Sequence, residues 1–534
     1  MARALLINPS TSRTYGANLG RTAFPVFPVM SLAALAGAVR DRGHEVRILD
    51  LSYLAYDPGL IRQVLRSERP DVVGVTCTTP LVNQARDISY IVRDELPGAR
   101  TIVGGSHPSA LPHQTMKESA FDFVATGEAD FVVADLLDDR DPADVQGLWH
   151  RVDGEILRSD VKGQLLEDLD DLPMPGWEHY PMDVMAHVSQ IVARRRPMTV
   201  AEFSRGCIYG CDFCASKNTL GRGYRKKSPE RIVAELERLA HRGIHEVLLV
   251  DDIFTTDRNW SAAVCEAIIR SGLDVAWTCS NGIRVDSADP ELFDLMKRAG
   301  CYRVYFGFES GSDEVLKAFG KGGRTSVAKA VEAVNLARRA GLEASGFFQV
   351  GLTGDTAETM QATVDFASRI PLDTMKCGMT VPFPGTPMFH ELHRQGRMKV
   401  FEWDSYTVYN KIDEIFDHPS LTPDEVHNAF RRFYVKAMIG NPAYLWRRFR
   451  FMLRNKEIAV TIKTVGRFAF LIWGRGKSPD EENYEYEATW RPLDLKLGEP
   501  VDETVPIIPR RRSYLTIGPR SGDRTSSAAV AVQD

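Results

Sequence analysis

Cysteine is scarce in this chain, with eight in 534 residues. Outside one short stretch none has the paired spacing of a secreted disulfide framework. Cys77, Cys265, Cys279, Cys301 and Cys377 stand singly in apolar or strand-like runs and read as core residues. Long hydrophobic runs are missing too. The apolar part of the N-terminal "MARALLINPS" is too short for a membrane span, and no small-residue cleavage site follows a signal-like segment. A cytoplasmic protein is therefore expected, in reducing surroundings that suit an oxidisable site. Neither sign of charge dominates: 66 Lys and Arg face 71 Asp and Glu, net −5, which gives no indication of a nucleic-acid partner. A composition of 44% hydrophobic and 26% charged residues is that of a globular chain, and the length implies two or three domains.

Three of the few cysteines crowd into "SRGCIYGCDFCAS", at 207, 211 and 214. Chance would produce such a C-x3-C-x2-C triplet roughly 0.002 times in a chain so poor in cysteine. No fourth cysteine or histidine lies within a short loop of it; His187 and His241 are distant. A structural zinc site needs that fourth ligand to close its tetrahedron. An iron-sulfur cluster held by three thiolates would instead leave one iron open to an exogenous ligand, as catalytic metal sites do.

With Phe213 just before the last cysteine, the triplet resembles the signature of the radical S-adenosylmethionine (SAM) superfamily. That resemblance implies a 4Fe-4S cluster on Cys207, Cys211 and Cys214, SAM chelated to the unique iron, and an electron donor such as flavodoxin or ferredoxin. One electron then cleaves SAM to methionine and a 5′-deoxyadenosyl radical. The chain around the triplet alternates strand and helix: "TVAEFSR" (199–205), "HEVLLVD" (245–251), "DVAWTCS" (274–280), "YRVYFGF" (302–308), "EASGFFQV" (343–350) and "DTMKCGMTV" (373–381), with helices between. "SPERIVAELERLAHRG" shows the punctuation, with Ser228 as N-cap, Pro229 at N1 and Gly243 at the end. Six such units predict a partial (β/α)6 barrel, with reactive groups in the loops after the strands. Those loops offer Asp251 and Asp252, one of them for the SAM ammonium. They also offer Ser280, Asn281, Arg284, Glu309, Ser310 and Gly311 for the carboxylate and ribose, and Gly351 and Gly354 for close backbone approach. The order of these groups resembles the SAM-binding motifs of the superfamily over residues 199–384.

The first 130 residues follow another grammar. "RALLINP", "EVRILDL", "DVVGVTC", "ARTIVGG" and "FDFVAT" are continuous apolar runs of strands covered on both faces, which predicts an α/β doubly wound, Rossmann-like domain. Ligands of such sheets bind beyond the C-terminal strand ends, here "NPSTSRTYG", "TCTTP", "GGSHPSALP" and "TGEAD". The G-x-G-x-x-G of a dinucleotide fold is absent. "GGSHPSALP" followed by "FVATGEAD" resembles instead the cobalamin-binding domain fused to many radical SAM enzymes. The resemblance implies contacts to the cobalamin from Thr76, Thr78, Gly104, Gly105, Ser106, His107, Ser109, Gly127 and Glu128. The D-x-H-x-x-G motif that supplies a lower histidine ligand elsewhere is lacking, so cobalt is expected to carry no protein histidine. His107 is read as a loop residue against the nucleotide tail or its own backbone.

The expected order is thus a cobalamin-binding domain over 1–140, a linker over 141–195 with few core positions, and a radical SAM partial barrel over 196–385. A helical domain over 386–490 is expected across the barrel opening, then a disordered tail over 505–534. Residues 446–477 are basic and aromatic. They read either as a peripheral membrane or anionic-substrate contact or as a solvated helix face, and the second is favoured; charges at Lys463 and Arg467 exclude a span. The two resemblances together imply a cobalamin-dependent radical SAM methyltransferase acting on carbon, or phosphorus, of a small metabolite or lipid. A cobalamin-binding oxidative cyclase or rearrangement enzyme of the bacteriochlorophyll-cyclase type is the alternative. A cobalamin or iron-sulfur sensor is the non-enzymatic one, although no appended recognition module is visible.

Overall fold

Apolar runs five or six residues long, bounded by turns, cover both faces of a sheet, and the first domain is built that way. The computed structural model describes residues 1–11, 27–159, 165–186, 193–321, 324–399, 402–408 and 415–455. Strands β1 (Arg3–Asn8), β2 (Glu45–Asp50), β3 (Val72–Thr76), β4 (Arg100–Gly104) and β5 (Phe123–Ala125) are parallel; β6 (Leu148–Val152) and β7 (Glu155–Arg158) close the edge as an antiparallel hairpin. The order β2-β1-β3-β4-β5-β6-β7 reverses direction at β1. That reversal opens a crevice beyond the carboxyl ends of β1 and β3, the place where doubly wound sheets hold ligands.

The expected first barrel run, 199–205, is not one strand. It comprises β8 (Thr199–Ala201) and, after a break, β9 (Ser204–Arg205), which turns to pair antiparallel with β10 (Arg225–Lys226). The other barrel strands are β11 (Glu246–Leu249), β12 (Ala276–Ile283), β13 (Cys301–Glu309), β14 (Glu343–Val350) and β15 (Thr374–Met379), as the repeats predict. Together with β8 they form a second sheet of six parallel strands in the order β8-β11-β12-β13-β14-β15. Alternate residues of each barrel strand face the lumen in layers. At the N-terminal ends Glu343 pairs with Arg303 at 2.9 Å and also holds Arg194, while Tyr302 donates to Glu246 at 2.6 Å, closing that end with a polar cluster.

Two expectations about the connecting parts are corrected. Within the expected linker, Leu169, Leu172, Trp177, Tyr180, Val184 and Met185 are buried. Tyr180 donates to Asp50 and accepts from the Val29 amide at 2.9 Å, and a Cβ on Gly37 would lie 2.3 Å from the Met174 carbonyl. The segment is therefore a strap docked on the first domain: prolines that interrupt helices do not prevent burial. Of the helical region expected across the barrel opening, helix 423–432 lies at the C-terminal end of β14, with Val426 3.3 Å from a Cβ on Gly351, but helix 442–455 does not. Arg447 donates to the Leu372 carbonyl at 3.2 Å and Phe451 lies under Arg303 at 5.1 Å, which puts the helix against the N-terminal ends of the barrel strands. Its Phe451 packs inward, whereas Trp446 and Phe449 stack on each other at 5.9 Å on the exposed side. The remainder of the basic stretch, 456–477, and the expected tail, 505–534, lie outside the described residues. Among the described residues no helix is long and apolar enough to cross a membrane.

Candidate active site

The cysteine loop leaves β9 through Gly206, whose φ of +89° and whose Cβ position, 2.0 Å from the Gly223 carbonyl, admit only glycine. Cys207, Cys211 and Cys214 are free and half-buried, while the five other cysteines are fully buried, as their apolar contexts predict. Cys211 and Phe213 pack on an apolar group formed by Val315, Leu316, Phe319 and Leu352, and the rings of Phe213 and Phe319 are 5.4 Å apart. Burial pushes the Cys211 thiol up to about 11, against the opposing pull of Lys321. A coordinating thiol gives up that proton outright. Among the described residues no three His, Cys, Asp or Glu side chains converge on a point that would hold a single ion.

The polar groups at the barrel strand ends divide into those spent on the fold and those presented to a ligand. Asp251 is fully buried. It accepts from the Phe203 amide at 2.8 Å and the Ser204 hydroxyl at 2.5 Å, and burial raises its pKa to about 7. It breaks the strand before the cysteine loop and is not free for an ammonium, which corrects the pairing of Asp251 with Asp252. Asp252 accepts from Gly206 and Ser216, is raised to about 6 by burial, and keeps Oδ2 without a partner. Ser280 donates to the Leu249 carbonyl at 2.7 Å and Asn281 to Val250 at 2.7 Å. Arg284 is bonded to Asp286 at 2.8 Å and Thr325 at 2.9 Å, and lies 3.7 Å over the Tyr209 ring of the cysteine loop. A Cβ on Gly311 would lie 2.7 Å from the Ala362 carbonyl of helix 357–369, so its bareness serves helix packing, whereas Gly351 takes a left-handed φ of +79° beside Val426 of helix 423–432.

Glu309 stands apart. It is a non-glycine residue at φ +62°, a conformation that costs about 1–3 kcal/mol and collects at functional sites. Lys321 holds one of its oxygens at 3.0 Å and Gln349 the other at 3.2 Å. Lys321 and Gln349 were not foreseen in the sequence, where nothing but the lumen-facing parity of Gln349 in β14 marks them.

On the other side, Thr76, Thr78, Gly104, Gly105, Gly127 and Glu128 line a cavity of about 700 Å³ together with Ser280, Val200, Leu248, Tyr305, Phe347 and Lys376 of the barrel. The crevice of the first domain and the barrel lumen are thus one chamber, large enough for cofactor-sized ligands. Ser106, His107 and Ser109 do not line it. Ser109 accepts from the Gly127 amide at 3.0 Å and so joins two strand-end loops. His107 is 1% exposed, bonded to Thr79 at 3.3 Å and edge-on to Trp403 at 4.9 Å. Burial lowers its pKa to about 3. It is a packing residue, and its place among the ligand contacts is corrected. Gly105, at φ +122°, lets β4 approach Cys77, whose carbonyl would be 2.3 Å from a Cβ.

The two halves of the chamber are pinned by buried ions that sequence reading missed because partners lie far apart in the chain. Arg205 pairs with Asp130 and Glu202, and Arg225 pairs with Glu128. Such bidentate carboxylate pairing suits the planar guanidinium fork.

A doubly wound domain whose strand ends face a partial barrel carrying a three-cysteine loop defines a radical SAM enzyme with a B12-binding domain. Residues 18–137 match the B12 binding domain and residues 201–367 the radical SAM superfamily. A protein described as an uncharacterized methyltransferase in Pyrococcus horikoshii is 30% identical over 81% of this chain and 92% of its own length. The anaerobic magnesium-protoporphyrin IX monomethyl ester cyclase of Cereibacter sphaeroides is 27% identical over 87% of this chain and 77% of its own. The fold is that of the radical SAM methyltransferase TsrM of Kitasatospora setae, with a TM-score of 0.65, 21% identity, and 82% and 89% of the two chains covered. The chain belongs to the cobalamin-binding radical SAM enzymes, whose cofactors are a 4Fe-4S cluster, SAM and cobalamin.

Proposed function

We propose that this enzyme transfers a methyl group to carbon or phosphorus of a small metabolite or lipid. The observation that carries the reading is the single chamber joining the strand ends of the first domain to the barrel lumen. When bound, SAM on the cluster supplies a radical that removes hydrogen, and cobalamin supplies a methyl carrier. Cys207, Cys211 and Cys214 would hold the cluster. Glu309 beside Gln349, together with Asp252 next to the cysteine loop, would hold the polar groups of SAM. Thr76, Thr78, Gly104 and Gly127 would face the cobalamin, and the Arg205–Asp130 pair keeps the two sides in register. Val200, Leu248, Tyr305 and Phe347 line the lumen with apolar surface and exclude water from the reacting atoms.

The likeness to the cyclase supports a second reading, oxidative cyclisation without methyl transfer. The test incubates reduced, cofactor-loaded enzyme with SAM labelled in its methyl group. Methyl transfer is expected to put label on cobalamin before any substrate is added, and to give S-adenosylhomocysteine and 5′-deoxyadenosine in equal amounts once substrate turns over. Formation of 5′-deoxyadenosine with cobalamin never labelled would replace this reading by cyclisation.

A further inference from the structure

Strand β15 forms the edge of the barrel sheet, and its residues alternate cleanly. Met375, Cys377 and Met379 are buried; Thr374, Lys376 and Gly378 face the lumen side. Lys376 is thereby a cation in the wall of the shared chamber. Its register partner across the sheet is Phe347, whose ring stacks on Tyr305 with centroids 5.1 Å apart and planes 13° from parallel. All three side chains line the same cavity.

The other charged groups on that wall are held in ion pairs, although Glu128, Asp130 and Glu202 exceed Arg205 and Arg225 by one negative charge. Arg205 is held by Asp130 and Glu202, and Glu128 by Arg225. Lys376 makes no hydrogen bond or ion pair among the described residues. It also lies deeper than the groups suited to SAM: Gln349, beside Glu309, is in register with Gly378, two residues further toward the strand end. Lys376 is exposed, not buried, so its unpaired ammonium is within reach of a ligand that brings its own negative charge, and the stacked aromatic wall next to it suits a flat or apolar body.

We propose that Lys376 selects substrates carrying an anionic oxygen group, carboxylate or phosphate, with an apolar or planar body laid on the Phe347–Tyr305 stack. This inference rests on the reading of the chamber as the place where substrate is held. It goes beyond that reading by naming the substrate class and the residue that recognises it.

The test is equilibrium fluorescence titration of the cluster- and cobalamin-loaded protein with three probes: 1-pyrenebutyrate, the phosphate monoester of 1-pyrenebutanol, and uncharged 1-pyrenebutanol. The expected result is tighter binding of one or both anions than of the alcohol, by roughly tenfold for a charge-assisted contact. Lys376→Gln should erase that preference while leaving the alcohol's affinity, SAM binding and cobalamin content unchanged. Lys376→Arg should keep it, and Phe347→Ala should weaken all three probes together. Equal affinity for anions and alcohol in the unaltered protein, or a preference that survives Lys376→Gln, overturns the proposal. So does loss of SAM or cobalamin in Lys376→Gln, which would assign the ammonium to a cofactor. The titration needs no turnover, so a failure of methyl transfer would leave its outcome standing.

Discussion

Arg205 reaches Asp130 with both arms of its guanidinium, Nη1 to Oδ2 at 2.7 Å and Nη2 to Oδ1 at 2.9 Å, while its Nε donates to Glu202 at 2.7 Å. Asp130 follows β5 of the first domain; Arg205 stands two residues before Cys207. The same ion pair therefore anchors the base of the cysteine loop and the rim of the cobalamin-facing crevice. Cluster loop and crevice cannot shift independently while it holds.

Removing Asp130 takes away two charge-assisted hydrogen bonds and leaves Arg205 on Glu202, at a cost of about 1.5–3 kcal/mol for a bond to a charged group. Asp130→Ala is expected to lower thermal stability by that order and to reduce cobalamin retention together with iron content, measured after anaerobic reconstitution. Arg205→Lys keeps the charge but loses the fork, and should lie between the unaltered protein and Asp130→Ala. Retention of both cofactors at full stability in Asp130→Ala would show that the pair does not couple the two sides.

Adjacent acids on the barrel rim should behave differently when replaced. Asp251→Ala removes the acceptor for Phe203 and Ser204 and should lose iron, much as replacement of Cys207, Cys211 or Cys214 by Ala should. Glu309→Ala should keep the cluster's absorbance yet weaken SAM binding, because Glu309 supports no part of the cysteine loop. Iron analysis and SAM binding by equilibrium dialysis separate the two. Intact iron in Asp251→Ala would contradict the role given to it.

His107 carries a pH dependence whose sign follows from its burial. Its folded pKa, near 3, lies below the unfolded value of about 6.5, so between these values the unfolded chain binds the extra proton. Its contribution to stability is complete above pH 6.5 and is lost as pH falls, by about 2 kcal/mol at pH 5. His107→Phe should flatten this part of the stability curve in chemical denaturation series at pH 7, 6 and 5. Electron paramagnetic resonance of the cobalt(II) form should show no nitrogen splitting that His107→Phe removes.

Much of this molecule was legible before folding was considered. The parallel strands of both sheets, the cysteine loop's position after the first barrel strand, and the six-unit rhythm follow from local spacing, since periodicity and turn residues report which face of an element is buried, whereas the hairpin β6–β7 fell within the expected linker and was not read. Glycines were legible as necessary but not as to purpose. Gly105 and Gly206 admit a neighbouring backbone, whereas Gly311 admits a helix arriving from later in the chain. The strap at 165–186 was misjudged because its prolines and acids mark turns, while its buried Trp177 and Tyr180 need the first domain beside them.

By itself the sequence determined a three-thiolate loop after a strand and a doubly wound domain with strand ends rich in glycine and hydroxyls, and the resemblance of both to known families supplied the class. Those features are local, and local chemistry is written in spacing. Only the tertiary structure decided which polar groups are available. Asp251, Ser280, Arg284 and Ser109 had every appearance of ligand contacts and are occupied by the protein's own backbone and side chains, because packed polar groups take whatever partner the fold brings within reach. The same rule leaves Asp252 with an unpartnered oxygen and Lys376 without an ion pair: their neighbours in space, set by strands far apart in the chain, are not their complements.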